Sequence, residues 1–233
     1  YGVIQGMVMP MLFFPSCFLG AFSSLLIPEM SESLAAGRRR SIASVTERSL
    51  GLTLAFSLFI ACFFLAFGEE LGLLFYNSRE AGGFLRMLAP LVPLLYLDTV
   101  TDGLLKGLDQ QIASLAFNTL DASLRVALMA SVLPVFGLRG YFCILYACGI
   151  LNISLSLSRL LKTARVRLSL SRWILRPLGA SLLCVGIWRC LPAPPVSTPI
   201  GLALAAGAAG GLYGILLSLP ILLKKRTNLL PIY

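Results

Sequence analysis

The stretch YLDTVTDGLLKGLDQQ, residues 96 to 111, decides how this chain is read. It ends an apolar run, yet carries Asp98 and Asp102. It then turns through GLDQQ before the next apolar run opens at Ile112. A carboxylate near the centre of a bilayer costs roughly 2.5–3.5 kcal/mol. Two of them persist in such a place only against protein or water. The stretch therefore predicts a membrane helix with an inward polar face, a short turn, and a second helix packed back against the first.

Composition says the same of the whole chain. Of its 233 residues, 58% are hydrophobic and 12% charged, and mean hydropathy is +0.88. A soluble domain carries about 25% charged residues. This chain cannot cover a water-facing surface, which predicts an all-α polytopic membrane bundle. Tyr1 opens directly into apolar sequence without a basic leader region, which reads as the carboxyl-terminal part of something longer. The net charge of +9 is gathered in short stretches between apolar runs. That pattern suits loops on an anionic leaflet and gives no ground for a nucleic-acid partner. The six cysteines lie in or beside apolar segments without a CxxC pair, and the chain has no histidine. Neither a disulfide framework, a metal site nor a bound cofactor is expected.

A helix needs roughly 20 apolar residues to cross a hydrocarbon core about 30 Å thick. By that measure about seven spans are expected, at 3–27, 50–68, 84–106, 112–135, 140–158, 173–190 and 199–223. Pro10 and Pro15 kink the first, Pro90 and Pro93 the third. The connections are short except 29–49 and 159–172. With seven spans, fourteen Lys and Arg fall on one side, including Arg38, Arg39, Arg40, Arg159, Lys162 and Lys224. Arg79, Arg86, Arg139 and Arg189 fall on the other, and Arg125 lies within a span. The positive-inside rule then puts residue 1 outside and the carboxyl terminus in the cytoplasm of a multi-pass cell-membrane protein. Residues 1–162 are expected to form a bundle of about five spans. Residues 163–233 are expected to form an interfacial elbow, TARVRLSLSRW (163–173), and two further spans.

Ionisable groups inside spans are functional candidates. Asp98, Asp102 and Lys106 share one helical face. Ser114, Asn118, Asp121 and Arg125 make one polar stripe on the next helix. Counting from a turn near Asp109 and Gln110 sets Asp98 level with Asp121 and Asp102 level with Asn118. Arg125 lies one turn deeper, within reach of either aspartate. Three readings remain open. The group is a buried ion-pair knot neutralised by Arg125 and Lys106, or the lining of a polar cavity for an anionic head group or a proton, or surface snorkelling of Asp102 and Lys106. Gln5 is a further candidate near the outer side. Asn152, Ser154, Ser156 and Ser158 read mostly as packing residues. DTVTDG (98–103) superficially resembles the aspartate motif of lipid phosphotransferases, with prenyltransferases the related case. No second such motif follows, and a lysine beside the acids makes a poor magnesium site, so no catalytic residue is assigned.

Three stretches together carry a resemblance. GMVMPMLFFPSCFLGAFSSLLIPEMSES (6–33), LKGLDQQ (105–111) and SLRVALMASVLPVFGLRGYFCILYACGILNISLSLSRLLK (123–162) match, in order and spacing, motifs of the family of stage V sporulation protein B and related polysaccharide transporters. The resemblance covers roughly residues 1–190. It implies the multidrug/oligosaccharidyl-lipid/polysaccharide exporter superfamily, in which two helix bundles surround a central cavity. The seven spans would be the second half of about fourteen, with a missing amino-terminal half as partner. The implied activity is alternating-access flipping of a lipid-linked sugar, such as a peptidoglycan precursor, in cell-wall or spore-cortex synthesis. Arg125 falls on the arginine of the family's L-R block. A cation-coupled multidrug antiporter of the same superfamily is the alternative.

Overall fold

The computed structural model describes residues 2–166 continuously, and beyond them Leu178, Gly179, Ser181, Leu182, Gly186, Gly207, Gly210, Gly211 and Tyr213. Every element among these is helical. A π-helical turn, Ile4–Val8, runs into α1 (Met9–Phe13), followed by α2 (Ser16–Ala35), α3 (Arg39–Tyr76), α4 (Arg79–Leu88), α5 (Val92–Gly107) and α6 (Gln111–Ala164). Among the described residues, three helical stretches can cross a membrane by length and composition, or four if the bent pair around Pro15 acts as one span.

Pro15 supplies no N–H, so the ladder of hydrogen bonds breaks there and the axes of Ile4–Phe13 and Ser16–Ala35 diverge by 50°. The connection expected over 29–49 is only three residues long, because α2 continues to Ala35 and α3 begins at Arg39. Hydropathy marks where lipid ends, whereas Glu29, Glu32, Arg39 and Arg48 are competent helix formers in water. The same reason carries α6 to Ala164, beyond the expected end at 158. Of the expected elbow, Thr163 and Ala164 still belong to α6. Residues 167–173 lie outside the described set. At Ser78, whose hydroxyl accepts from the Ala81 N–H at 3.3 Å, a capped α4 starts with Glu80 in its first turn.

α5 is the centre of the bundle. Tyr96, Val100, Leu104 and Leu105 on it are fully buried. α2 approaches so closely that a Cβ on Gly103 would run into the Ser23 hydroxyl. Helices in lipid gain contact through such small residues, since hydrophobic exclusion from water is not available to drive them together.

α6 is 54 residues long, about 80 Å if straight, far more than a bilayer needs. It is not straight. Gly137 has φ 55 and ψ −137, a backbone state open to a residue without Cβ. Pro134 lies one turn before it. The chain reverses there, giving a first limb over 111–136 and a second over 138–164. The expected spans 112–135 and 140–158 fall on these limbs. Those at 3–27, 50–68 and 84–106 fall on α1–α2, α3 and α4–α5. The expected spans 173–190 and 199–223 lie largely outside the described residues, so the count of seven rests on hydropathy. Tyr213 and Ser181, described residues of that region, meet α3. Tyr213 stacks on Phe59 at 4.9 Å and donates to the Ala55 carbonyl at 2.7 Å, and the Ser181 hydroxyl meets the Cys62 thiol at 3.2 Å. Positions 55, 59 and 62 form one face of α3.

Candidate functional site

The antiparallel α5–α6 hairpin turns through Asp109, at φ 57, with the Gln110 N–H returning to the Leu105 carbonyl at 2.9 Å. Its register follows from that turn. Asn118 Nδ2 donates to Asp102 Oδ2 at 2.9 Å and the Ser114 hydroxyl donates to Asp102 Oδ1 at 2.6 Å. Asp102 thus stands level with Asn118. It is half-buried and held between helices, unlike a residue reaching for the surface.

Asp98 finds its partner elsewhere. Asn152, on the second limb of α6 and 6% exposed, donates from Nδ2 to both carboxylate oxygens of Asp98 at 3.1 Å. The same nitrogen lies 3.3 Å from Asn118 Oδ1. One amide therefore joins three helical segments. Sequence reasoning assigned Asn152 to packing because it sits among alternating serines. The signal that distinguishes it is spacing: Tyr141, Leu145, Gly149 and Asn152 fall on one helical face.

Arg125 pairs with Asp121 at 2.7 Å, one turn back on its own limb. It makes no ion pair with Asp98, which the sequence had placed within its reach; the Asp98 carboxylate takes the Asn152 amide instead. Lys106 is exposed, and among the described residues it forms no ion pair. The ion-pair knot, one of the three open readings, would need Arg125 and Lys106 on both acids, and no such pair forms among the described residues. Neutral donors take the place of water around Asp98 and Asp102, and among the described residues only Asp121 of the three has a cation. Asp121 Oδ1, Arg125 Nε, Asn152 Oδ1, Thr101 Oγ1 and Ser156 Oγ are buried without a partner among the described residues. Asp98 and Asp102 turn to different partners, an arrangement unlike a pair converging on one magnesium ion.

Above this polar layer lies a cavity of about 160 Å³. Gln5, Met9 and Phe13 form one wall, Leu91 and Leu95 another, and Tyr141, Leu145 and Gly149 a third. Arg125 and Met129 complete it. Gln5 Nε2 meets the Tyr141 hydroxyl at 2.7 Å across the cavity. Arg125 therefore stands in two settings: its guanidinium is tied to Asp121, and the residue is part of the cavity lining. An arginine so placed can receive an anionic oxygen, while the Gln5 amide and Tyr141 hydroxyl offer neutral hydrogen bonds beside it.

The profile of the MatE family matches residues 2–130. The chain belongs to the MatE family. It is a membrane-transporter family of the exporter superfamily that the sequence motifs suggested. This MatE chain is also similar to stage V sporulation protein B of Bacillus subtilis (strain 168), 24% identical over 142 residues. That alignment takes in 60% of this chain but 27% of the relative, so the chain spans well under half of the curated protein it matches. No solved structure matches it. The MatE stretch includes Gln5, Asp98, Asp102, Asn118, Asp121 and Arg125. Tyr141 and Asn152 lie beyond it, on the second limb that completes the site.

Proposed function

We propose that this MatE chain is the second half of a transporter that flips a lipid-linked sugar across the cytoplasmic membrane by alternating access. Cell-wall or spore-cortex precursor supply is the process it fits. The observation that carries the reading is Arg125 at the edge of a cavity whose remaining walls are mostly apolar, with Gln5 and Tyr141 as neutral hydrogen-bonding groups. A diphosphate needs a planar, permanently charged partner, sugar hydroxyls need neutral donors and acceptors, and a lipid tail needs an apolar flank. The similarity to a stage V sporulation protein favours a place in spore formation.

In this reading residues 1–162 make about five crossings, the two limbs of α6 counting separately, and residues 163–233 add an elbow and two more. Residue 1 is outside and the carboxyl terminus cytoplasmic. An amino-terminal half of the same protein closes the cavity. Membrane lipids cover the outward apolar positions such as Leu115 and Val126, 68% and 70% exposed. The protein is a carrier and makes or breaks no bond in its cargo.

A cation-coupled drug antiporter is the second reading. It is favoured by the three carboxylates, Asp98, Asp102 and Asp121, set against one guanidinium. The two separate in a strain lacking its lipid-linked-sugar flippase. Full-length protein restores growth and Arg125→Leu, present at equal level, does not. Restored growth with Arg125→Leu, or drug resistance in place of rescue, would sink the flippase reading.

A further inference from the structure

The first segment, Ile4–Phe13, is built differently from the rest of the bundle. It opens on a π-helical turn and ends at the break before Pro15, where its axis departs by 50° from that of α2. π-turns widen the helix and shift its faces, and they mark places where a helix has to bend. Its inner face, Ile4, Val8 and Leu12, is fully buried, while Gln5, Met9 and Phe13 on the neighbouring face line the cavity. Two tyrosines tie it down, one near each end. The Tyr141 hydroxyl on the second limb of α6 receives the Gln5 amide, and the Tyr96 hydroxyl on α5 donates to the Leu12 carbonyl at 2.8 Å.

We infer that Ile4–Phe13 is a hinged wall of the cavity, pivoting at Phe14–Pro15 and held shut through Tyr141 and Tyr96. The inference rests on the transport reading for its purpose, since a carrier has to open and close its cavity. The pieces of a hinge are present: a helical lever with its own internal hydrogen bonds, a break without a continuous ladder, and polar ties that exchange without unfolding anything. Gln5 and Tyr141 face the cavity from opposite walls. A hydroxyl of an entering sugar can replace Gln5 as the partner of Tyr141, so that ligand entry and wall release become one exchange of hydrogen bonds. At the other end Tyr96 meets the carbonyl three residues before Pro15, which places the second tie at the pivot.

The test reads the wall alone. In the whole protein, held in lipid nanodiscs so that both faces are accessible, Gly149→Cys serves as the cavity reporter. An added Cβ there makes ordinary contacts, with Leu91 Cδ1 at 3.4 Å and Leu94 Cδ1 at 3.9 Å. Native Cys62, 6% exposed and on α3, reports general loosening, and the other cysteines are replaced. The rate of modification by a small thiol reagent follows the population of the open form. Tyr96→Phe and Gln5→Leu should each raise the rate at position 149 roughly fivefold, the effect of one net hydrogen bond. The rate at Cys62 should stay unchanged. Equal rates at 149 in variants and parent would overturn the hinge. So would a parallel rise at Cys62, which would report a loosened bundle. Modification requires no cargo, so a wall that opens in a protein moving no lipid-linked sugar would refute the transport reading and leave the hinge standing.

Discussion

Asn118 and Asn152 belong to one helical run and stand 34 positions apart, yet their side-chain amides meet at 3.3 Å. In a straight helix about 51 Å would separate them. The reversal at Gly137 brings them together, and it lets a single amide bind Asp98 and Asn118 at once. Charged groups that look like separate liabilities along the chain become one polar layer between three helical segments.

The reversal itself can be checked by proximity. Cysteines at 118 and 152, in a background without the native six, should be joined by a short bifunctional thiol reagent and migrate as an internally linked species. Cysteines at 118 and 135 should not. Failure to link 118 with 152 in folded protein would rule out the antiparallel limbs.

Asn152→Leu removes the donors that Asp98 has in place of water. Stranding a buried charged acceptor costs about 1–3 kcal/mol or more, so thermal unfolding in detergent should begin several degrees lower. Asn152→Asp should be worse, since it sets a carboxylate directly against Asp98. An Asn152→Asp protein as stable as its parent would show that the amide does not hold this contact.

The Arg125–Asp121 pair makes a prediction about paired substitutions. Losing one partner of a fully buried pair costs about 3–5 kcal/mol, and replacing both by apolar groups can be near neutral. With the arginine side chain 33% exposed, Arg125→Leu alone should cost less, about 2 kcal/mol. Arg125→Leu with Asp121→Leu should recover most of the stability measured by unfolding. Transport separates structure from recognition: a pair that only braces the helix regains activity in the double variant, while a cavity cation does not. We expect recovered folding and no transport.

Gly103→Ala should destabilise the α2–α5 contact by roughly 1–3 kcal/mol, because the new methyl enters the space of Ser23 in a packed interface. Adding Ser23→Gly should return part of the loss. Independent, additive effects of the two changes would mean that the helices do not meet at this point.

Orientation is open to labelling in intact cells. Cysteines at Arg39 and Lys162 should resist an impermeant thiol reagent, and cysteines at Asn77 and Arg139 should react. Reaction at the first two from outside would reverse the topology.

Much of the architecture is legible in the sequence because hydropathy is a local quantity. A run of apolar residues long enough to cross lipid is visible as such, and the breaks at Pro15 and near Asp109 are written in residue types with fixed backbone consequences. The register of Asp102 with Asn118 also followed, since a short turn leaves little freedom in pairing two helices. Helix ends did not. Arg39 and Arg48 lie within α3, which hydropathy cannot show once a helix leaves the membrane.

Sequence alone determined that this is a helical membrane chain, where its apolar runs lie, that its buried charges sit near the α5–α6 turn, and which family its motifs resemble. Only the tertiary structure decided which groups satisfy those charges. Asp98 takes its hydrogen bonds from Asn152, 54 residues away, and Arg125 turns to Asp121 and the cavity. The physical reason is that the environment of a buried carboxylate depends on donors brought near by helix packing. That packing is set by close contacts such as Ser23 with Gly103 and by one backbone reversal at Gly137. Neither leaves a periodic signal in the chain.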